Sequence, residues 1–206
     1  IPSNPCERVA PPKVERKEAV YLDEEQAADL LAALDKESMQ HQVIVKLLLF
    51  TGMRRGELCG LEWKDIDFER AVIFVRRSSL YMAGRGVFED ETKNTSSERC
   101  MKVSADVVSM LRAWRAEQSK QRLRMGDQWQ DSDRLFTTWN GAPIRPDGIT
   151  AWFHKFVTKN GLPPIHIHSL RHTNATLLIA AGTSLTTVAA RLGHANSTTT
   201  SKIYAH

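Results

Sequence analysis

The chain has 206 residues, 42% of them hydrophobic and 25% charged, a composition ordinary for one globular core or one core plus a tail. No apolar run approaches the roughly 20 residues a membrane-spanning helix needs, since the longest candidate, residues 43–50, is broken by Lys46, so no membrane partner is expected. The net charge of +4 is unevenly placed: residues 1–100 carry 15 Lys/Arg against 18 Asp/Glu, and residues 101–206 carry 13 against 6, as a polyanion binder or an ordinary solvated basic surface would.

The opening Ile1-Pro2-Ser3-Asn4-Pro5 lacks the charged-then-apolar pattern of a secretory signal, and the missing initiator Met suggests a piece of a longer protein. Cys6, Cys59 and Cys100 are odd in number and contain no Cys-x-x-Cys pair. That argues against a disulfide framework or a cysteine zinc site, and fits a reducing cytoplasm. Residues 1–18 hold four prolines and alternating charges and read as an interdomain linker, with the folded domain expected over residues 19–206.

Helical order is expected from Asp23, which can cap a helix while Gln26, three residues on, closes a capping box. Ala27, Leu30, Leu31 and Leu34 then share one apolar face. A second helix is predicted over about residues 42–50, stopping near Thr51-Gly52, and a third over residues 54–63 with Leu58 and Leu61 inward. From Ala71 the texture changes. Residues 72–75 and the stretch around 87–103 read as short strands with polar, Gly-containing connections, giving a small antiparallel sheet of about three strands. Ser104 caps a long helix carrying Val107, Val108, Leu111 and Trp114 inward, and Asn140-Gly141 marks a turn. Further helices follow Pro146, run over about residues 169–181 and 184–191, and resume after Ser197. The sum is a mainly helical α+β fold with one small sheet.

Six of the seven histidines (His154, His166, His168, His172, His194 and His206) lie in the last 53 residues, where no acidic residue follows Asp147. Singly, a histidine is more often a core or surface residue than a catalytic one. Such a cluster invites either a metal site or acid–base chemistry on a phosphate. A metal site could draw on His166, His168, His172 and His194, but would need carboxylates brought from the first half of the chain. The phosphate reading gains from arginine. His168-Ser169-Leu170-Arg171-His172 opens a helix, where backbone N–H groups favour an anion, and Arg171 stands three residues after His168 on the same side. Arg54 follows the break at Gly52; a guanidinium fork suits two phosphate oxygens, although a surface salt bridge to Glu57 is equally compatible. Tyr204 lies ten residues after His194, and tyrosine is far more often a packing residue than a nucleophile. Residue chemistry alone therefore suggests a phosphate-binding, His/Arg-rich protein and leaves the reaction open.

At these positions the chain resembles the tyrosine recombinases, especially integrases of phages and conjugative transposons. The landmarks occur in order: Thr51-Gly52-Met53-Arg54-Arg55-Gly56-Glu57-Leu58, Thr92-Lys93-Asn94, His168-Ser169-Leu170-Arg171-His172-Thr173, Leu192-Gly193-His194 and Tyr204-Ala205-His206. The likeness covers roughly residues 20–206. It implies the tyrosine-recombinase catalytic fold over residues 19–206, the DNA breaking and rejoining domain, with little of the family's C-terminal tail beyond Tyr204. It implies a site-specific recombinase that integrates or excises a mobile element through a 3′-phosphotyrosine on Tyr204. His168 would be the general base, Arg54 and Arg171 the phosphate clamp, Lys93 the acid for the departing 5′-oxygen, and His194 a hydrogen-bond donor to the phosphate. Glu57 and His172 would support these groups from behind. The resemblance implies no cofactor, metal or ATP. Its expected partners are double-stranded DNA recombination sites, further copies of the chain (dimer to tetramer, passing through a Holliday junction) and DNA-bending accessory proteins, at the bacterial nucleoid. A type IB topoisomerase-like relaxing enzyme is the alternative with the same chemistry; a metal-dependent hydrolase is a more distant one.

Overall fold

The computed structural model describes Val9, residues 20–90 and residues 99–193. The expected linker (Val9 apart), Lys93, His194, Tyr204, His206 and the helix after Ser197 lie outside the described residues.

Helix α1 (Glu24–Leu34) starts in the expected capping box. The Asp23 carboxylate accepts from the Gln26 amide at 2.8 Å, and the Gln26 side chain accepts from the Asp23 amide at 3.2 Å. It buries Ala27, Leu30 and Leu34 against α2 (Met39–Thr51). Ser38 caps α2, which therefore begins before the apolar run that betrays it in the sequence. Val43, Ile44, Val45, Leu47, Leu48 and Leu49 are all buried, as in a helix packed on nearly every side. The next helix, α3 (Arg55–Gly60), is shorter than the periodicity predicts. The chain extends at Leu61, and a single 3-10 turn, Trp63–Asp65, follows.

Strands β1 (Ile66–Asp67) and β2 (Val72–Val75) come next. Then β3 (Ser78–Met82) and β4 (Gly86–Asp90) form a hairpin, and β5 (Arg99–Lys102) returns. β2 is the centre of an antiparallel sheet ordered β1-β2-β5, with Val75 opposite Arg99. Among the described residues the sheet thus has the expected three strands, while β3 and β4 pair only with each other. The hairpin's first strand went unforeseen because Ser78, Ser79, Tyr81 and Met82 carry no clean apolar alternation.

Helix α4 (Ala105–Met125), capped by Ser104, buries Val107, Leu111 and Trp114; Val108 is only partly covered. The turn at Asn140-Gly141 leads to α5 (Pro146–Lys159), whose Phe153 and Phe156 enter the main core. The last two helices among the described residues, α6 (Ser169–Ala180) and α7 (Leu185–Leu192), pack on each other through Ala175, Val188 and Leu192. Among the described residues no helix is long and apolar enough to cross a membrane.

Candidate active site

The site is organised by the end of the central helix. An α-helix leaves its last carbonyls without intrahelical partners, and they carry the negative end of the dipole. In α2 three side chains from α6 and α7 satisfy them. Asn174 donates to the Leu49 carbonyl at 2.8 Å, Arg191 to that of Phe50 at 3.0 Å and Arg171 to that of Gly52 at 2.7 Å. Gly52 turns the chain with φ of 66°, and a β-carbon there would lie 2.6 Å from Leu192 Cδ2 and 2.7 Å from Asn174 Oδ1. Only glycine allows this approach.

Arg171 is 3% exposed, and its second nitrogen donates to the Leu192 carbonyl at 2.7 Å, at the C-terminal end of α7. Arg54 reaches the next carbonyl, that of Gly193, at 3.5 Å. Two guanidiniums from distant parts of the chain therefore converge on consecutive peptide units. Arg54 also pairs with Glu57 (2.8 Å), as the simpler reading of the sequence anticipated, and its backbone amide donates to the same carboxylate at 2.8 Å. The pair is asymmetric, because the Arg54 side chain is 44% exposed whereas that of Glu57 is 5% exposed. Burial alone would raise the Glu57 pKa. Hydrogen bonds and charge from Arg99, with hydrogen bonds from the Arg54 backbone and side chain, outweigh it and hold the carboxyl below its ordinary value.

His168 precedes the first turn of α6 and stands edge-on to His172, with ring centroids 5.0 Å apart. Partial burial, then the charges of Arg171 and Arg54, lower the His168 pKa. Burial, then His168 and Arg171, lower that of His172. Cations beside an imidazole disfavour its protonated form, so His168 is poised as an acceptor rather than a donor. The arrangement sets the half-exposed Arg54 guanidinium toward an anion, with the buried Arg171 charge behind it and a His168 held toward its neutral form beside them.

Arg54, Glu57, His168, Arg171 and His172 are therefore brought together, while Lys93, His194 and Tyr204 lie outside the described residues. Lys102, the other lysine of this region, is exposed in β5. Two members of the network carry no local signal. Arg99 and Arg191 act on partners 42 and 141 residues away, a separation no spacing motif reveals. Among the described residues no group of three His, Cys, Asp or Glu side chains gathers as a metal site requires. Next to the site, Arg55, Thr150, His154, Lys155 and His166 line a groove of about 460 Å³ between α5 and the segment leading to α6.

Known proteins resemble the chain in sequence and fold. The chain is 31% identical over 219 residues to a XerC-like tyrosine recombinase of Caldanaerobacter subterraneus subsp. tengcongensis, covering all of this chain and 54% of that protein. It is 28% identical over 204 residues to the ICEBs1 integrase of Bacillus subtilis, covering 98% of this chain and 55% of that one. It thus spans about half the length of these relatives. Among solved structures, the Tn1549 transposon integrase in complex with transposon right end DNA superposes with a TM-score of 0.82 at 28% identity, covering 93% of this chain and 63% of that one. Residues 20–206 match the model of the phage integrase family. The chain belongs to that family, the tyrosine recombinases.

Proposed function

We propose that this protein is a site-specific DNA recombinase that integrates or excises a mobile element by cutting and rejoining DNA through Tyr204. The observation that carries the reading is the convergence of Arg54 and Arg171 on the adjacent carbonyls of Leu192 and Gly193, beside a His168 held toward its neutral form. Likeness to integrases, one of them solved with transposon end DNA, supports it.

In this mechanism the Tyr204 phenol attacks the scissile phosphate. The new P–O bond to tyrosine forms as the bond to the 5′-oxygen breaks. A phenol of pKa about 10 needs its proton removed, and His168 accepts it. Arg54 and Arg171 neutralise the charge that builds on the non-bridging oxygens. Lys93 returns a proton to the 5′-oxygen, and His194 donates a hydrogen bond to the phosphate. Rejoining is the reverse reaction with a new 5′-hydroxyl, so phosphodiester energy is conserved and no cofactor is required. The substrate is double-stranded DNA at recombination sites. Strand exchange proceeds through a Holliday junction in a dimer-to-tetramer assembly, aided by DNA-bending proteins, in the cytoplasm at the nucleoid. The groove beside the site, with Arg55 and Lys155 among its lining residues and Asp147 as its acidic member, extends the surface available to the DNA backbone.

The test is covalent capture of a nicked duplex carrying the end sequence of the element that encodes the protein, in EDTA, by wild type and Tyr204→Phe. A denaturation-resistant protein–DNA band that disappears in the variant is expected. A band persisting in Tyr204→Phe would give the nucleophile another identity, and no band in either would favour a DNA-binding module.

A further inference from the structure

We propose that Arg99 is a positioning residue that keeps Arg54 available as a net cation by taking up the charge of Glu57. The proposal rests on the recombinase reading of the site. The Arg99 guanidinium meets the Glu57 carboxylate with both ends, Nη1 to Oε1 at 3.0 Å and Nη2 to Oε2 at 2.7 Å. Its Nε donates to the Arg191 carbonyl at 3.0 Å, in the last turn of α7. The side chain is 9% exposed.

Among the described residues Glu57 accepts from four donors, two on Arg54 and two on Arg99, which matches the capacity of a carboxylate. The charges decide what this does. Arg54 and Glu57 alone form a neutral pair with little attraction for an anion. With Arg99 added the triad carries one net positive charge. Arg99 is nearly enclosed and Arg54 is the exposed member, so that charge is presented at Arg54. Arg99 also immobilises the carboxylate that orients Arg54, reducing the rotamer freedom an exposed arginine otherwise keeps. The backbone leaves room for it. Gly193 has φ of 67°, and a β-carbon there would come within 2.9 Å of Arg99 Nη1. One guanidinium therefore joins β5, α3 and the end of α7, the last two of which also hold Arg54.

The experiment measures single-turnover covalent capture of the nicked duplex at saturating DNA, below the melting temperature of each variant. It compares wild type with Arg99→Lys, Arg99→Ala and the double variant Arg99→Ala/Glu57→Gln. In parallel, NMR follows the Glu57 carboxyl titration in wild type and Arg99→Lys. Arg99→Lys keeps the charge and loses the fork, so capture slows about tenfold or more, as small misplacements of reacting groups do. Arg99→Ala is slower still. The double variant recovers part of that loss, because removing the carboxylate frees Arg54 from an uncompensated partner. The Glu57 midpoint rises in Arg99→Lys. Wild-type capture rates in Arg99→Lys, or no recovery in the double variant, would overturn the role, as would an unmoved Glu57 midpoint. If wild type captures no DNA, the recombinase reading fails separately, and the titration still decides whether Arg99 controls Glu57.

Discussion

Arg171 donates to the carbonyl of Gly52 at 2.7 Å, so the arginine proposed to clamp a phosphate also closes the end of the central helix. The clamp is therefore part of the fold. Its geometry is set by helix termini rather than by a loop, which suits a group that must hold reacting atoms within a fraction of an ångström.

If Arg171 clamps the phosphate, Arg171→Ala should abolish cleavage and leave DNA binding largely intact. The structure adds a second cost, because the carbonyls of Gly52 and Leu192 lose their buried donor. We expect Arg171→Ala to lose about 1–3 kcal/mol of stability as well as cleavage. Arg171→Lys should melt closer to wild type yet cleave at least about 100-fold more slowly, since an ammonium cannot reproduce the fork. Thermal melts with single-turnover capture separate the two effects. Near-normal cleavage by Arg171→Lys would contradict the clamp.

Gly52→Ala offers a second check on this coupling. The new methyl group would collide with Leu192 and Asn174 on a backbone with φ of 66°. Gly182, at the end of α6, has φ of 84° with open space around it. Gly182→Ala should cost only the left-handed backbone penalty, about 1–2 kcal/mol, with cleavage little changed. Gly52→Ala should cost more than that and slow cleavage too, because its carbonyl holds Arg171. Equal effects of the two substitutions on melting and cleavage would show that the close approach is unimportant.

What the sequence made legible follows from range. The Asp23–Gln26 capping box, the Ser104 cap and the break at Gly52 are local signals, and each appears where expected. Arg54, His168 and Arg171 stand in local motifs too, which is why the sequence offers them as candidates. Arg99 was not, since its meaning comes from a carboxylate 42 residues earlier and a carbonyl 92 residues later. Ser78–Met82 pairs, among the described residues, only with the next strand, and its fully buried member is a serine, so no apolar alternation marks it. The Arg54–Glu57 ion pair and the phosphate clamp looked like competing readings of one residue. The structure makes them compatible, since Glu57 is buried and Arg54 keeps an exposed face.

The groove beside the site predicts a salt effect. Lys155 is exposed on α5 and lines that groove. A lysine contacting one phosphate contributes about one unit to the slope of log K against log salt. Lys155→Ala should therefore flatten that slope by about one unit while leaving sequence preference unchanged. Lys120→Ala, removing a lysine paired with Glu117 on α4, serves as the control and should leave the slope alone. Binding measured across salt concentrations decides it; identical slopes for Lys155→Ala and wild type would remove α5 from the DNA-facing surface.

Protonation of His168 gives the last prediction. Its folded pKa is depressed below 6.5, by burial first and then by Arg171 and Arg54. The folded protein thus holds His168 neutral at pH values where an unfolded chain would bind a proton. Capture should rise with pH through a midpoint below 6.5 and level off near neutrality, as the base becomes available. His168→Gln should be slow at every pH and lack that step. Stability moves in the same direction for a related reason. His41, His168 and His172 all have lowered values, so below about pH 6.5 the unfolded state takes up protons that the folded state refuses. Stability should be level above that range and decline as the pH falls through it. The decline should shrink in His168→Gln, which removes one of the three contributors. A capture midpoint above 6.5, or a step that survives in His168→Gln, would assign the proton transfer to another group.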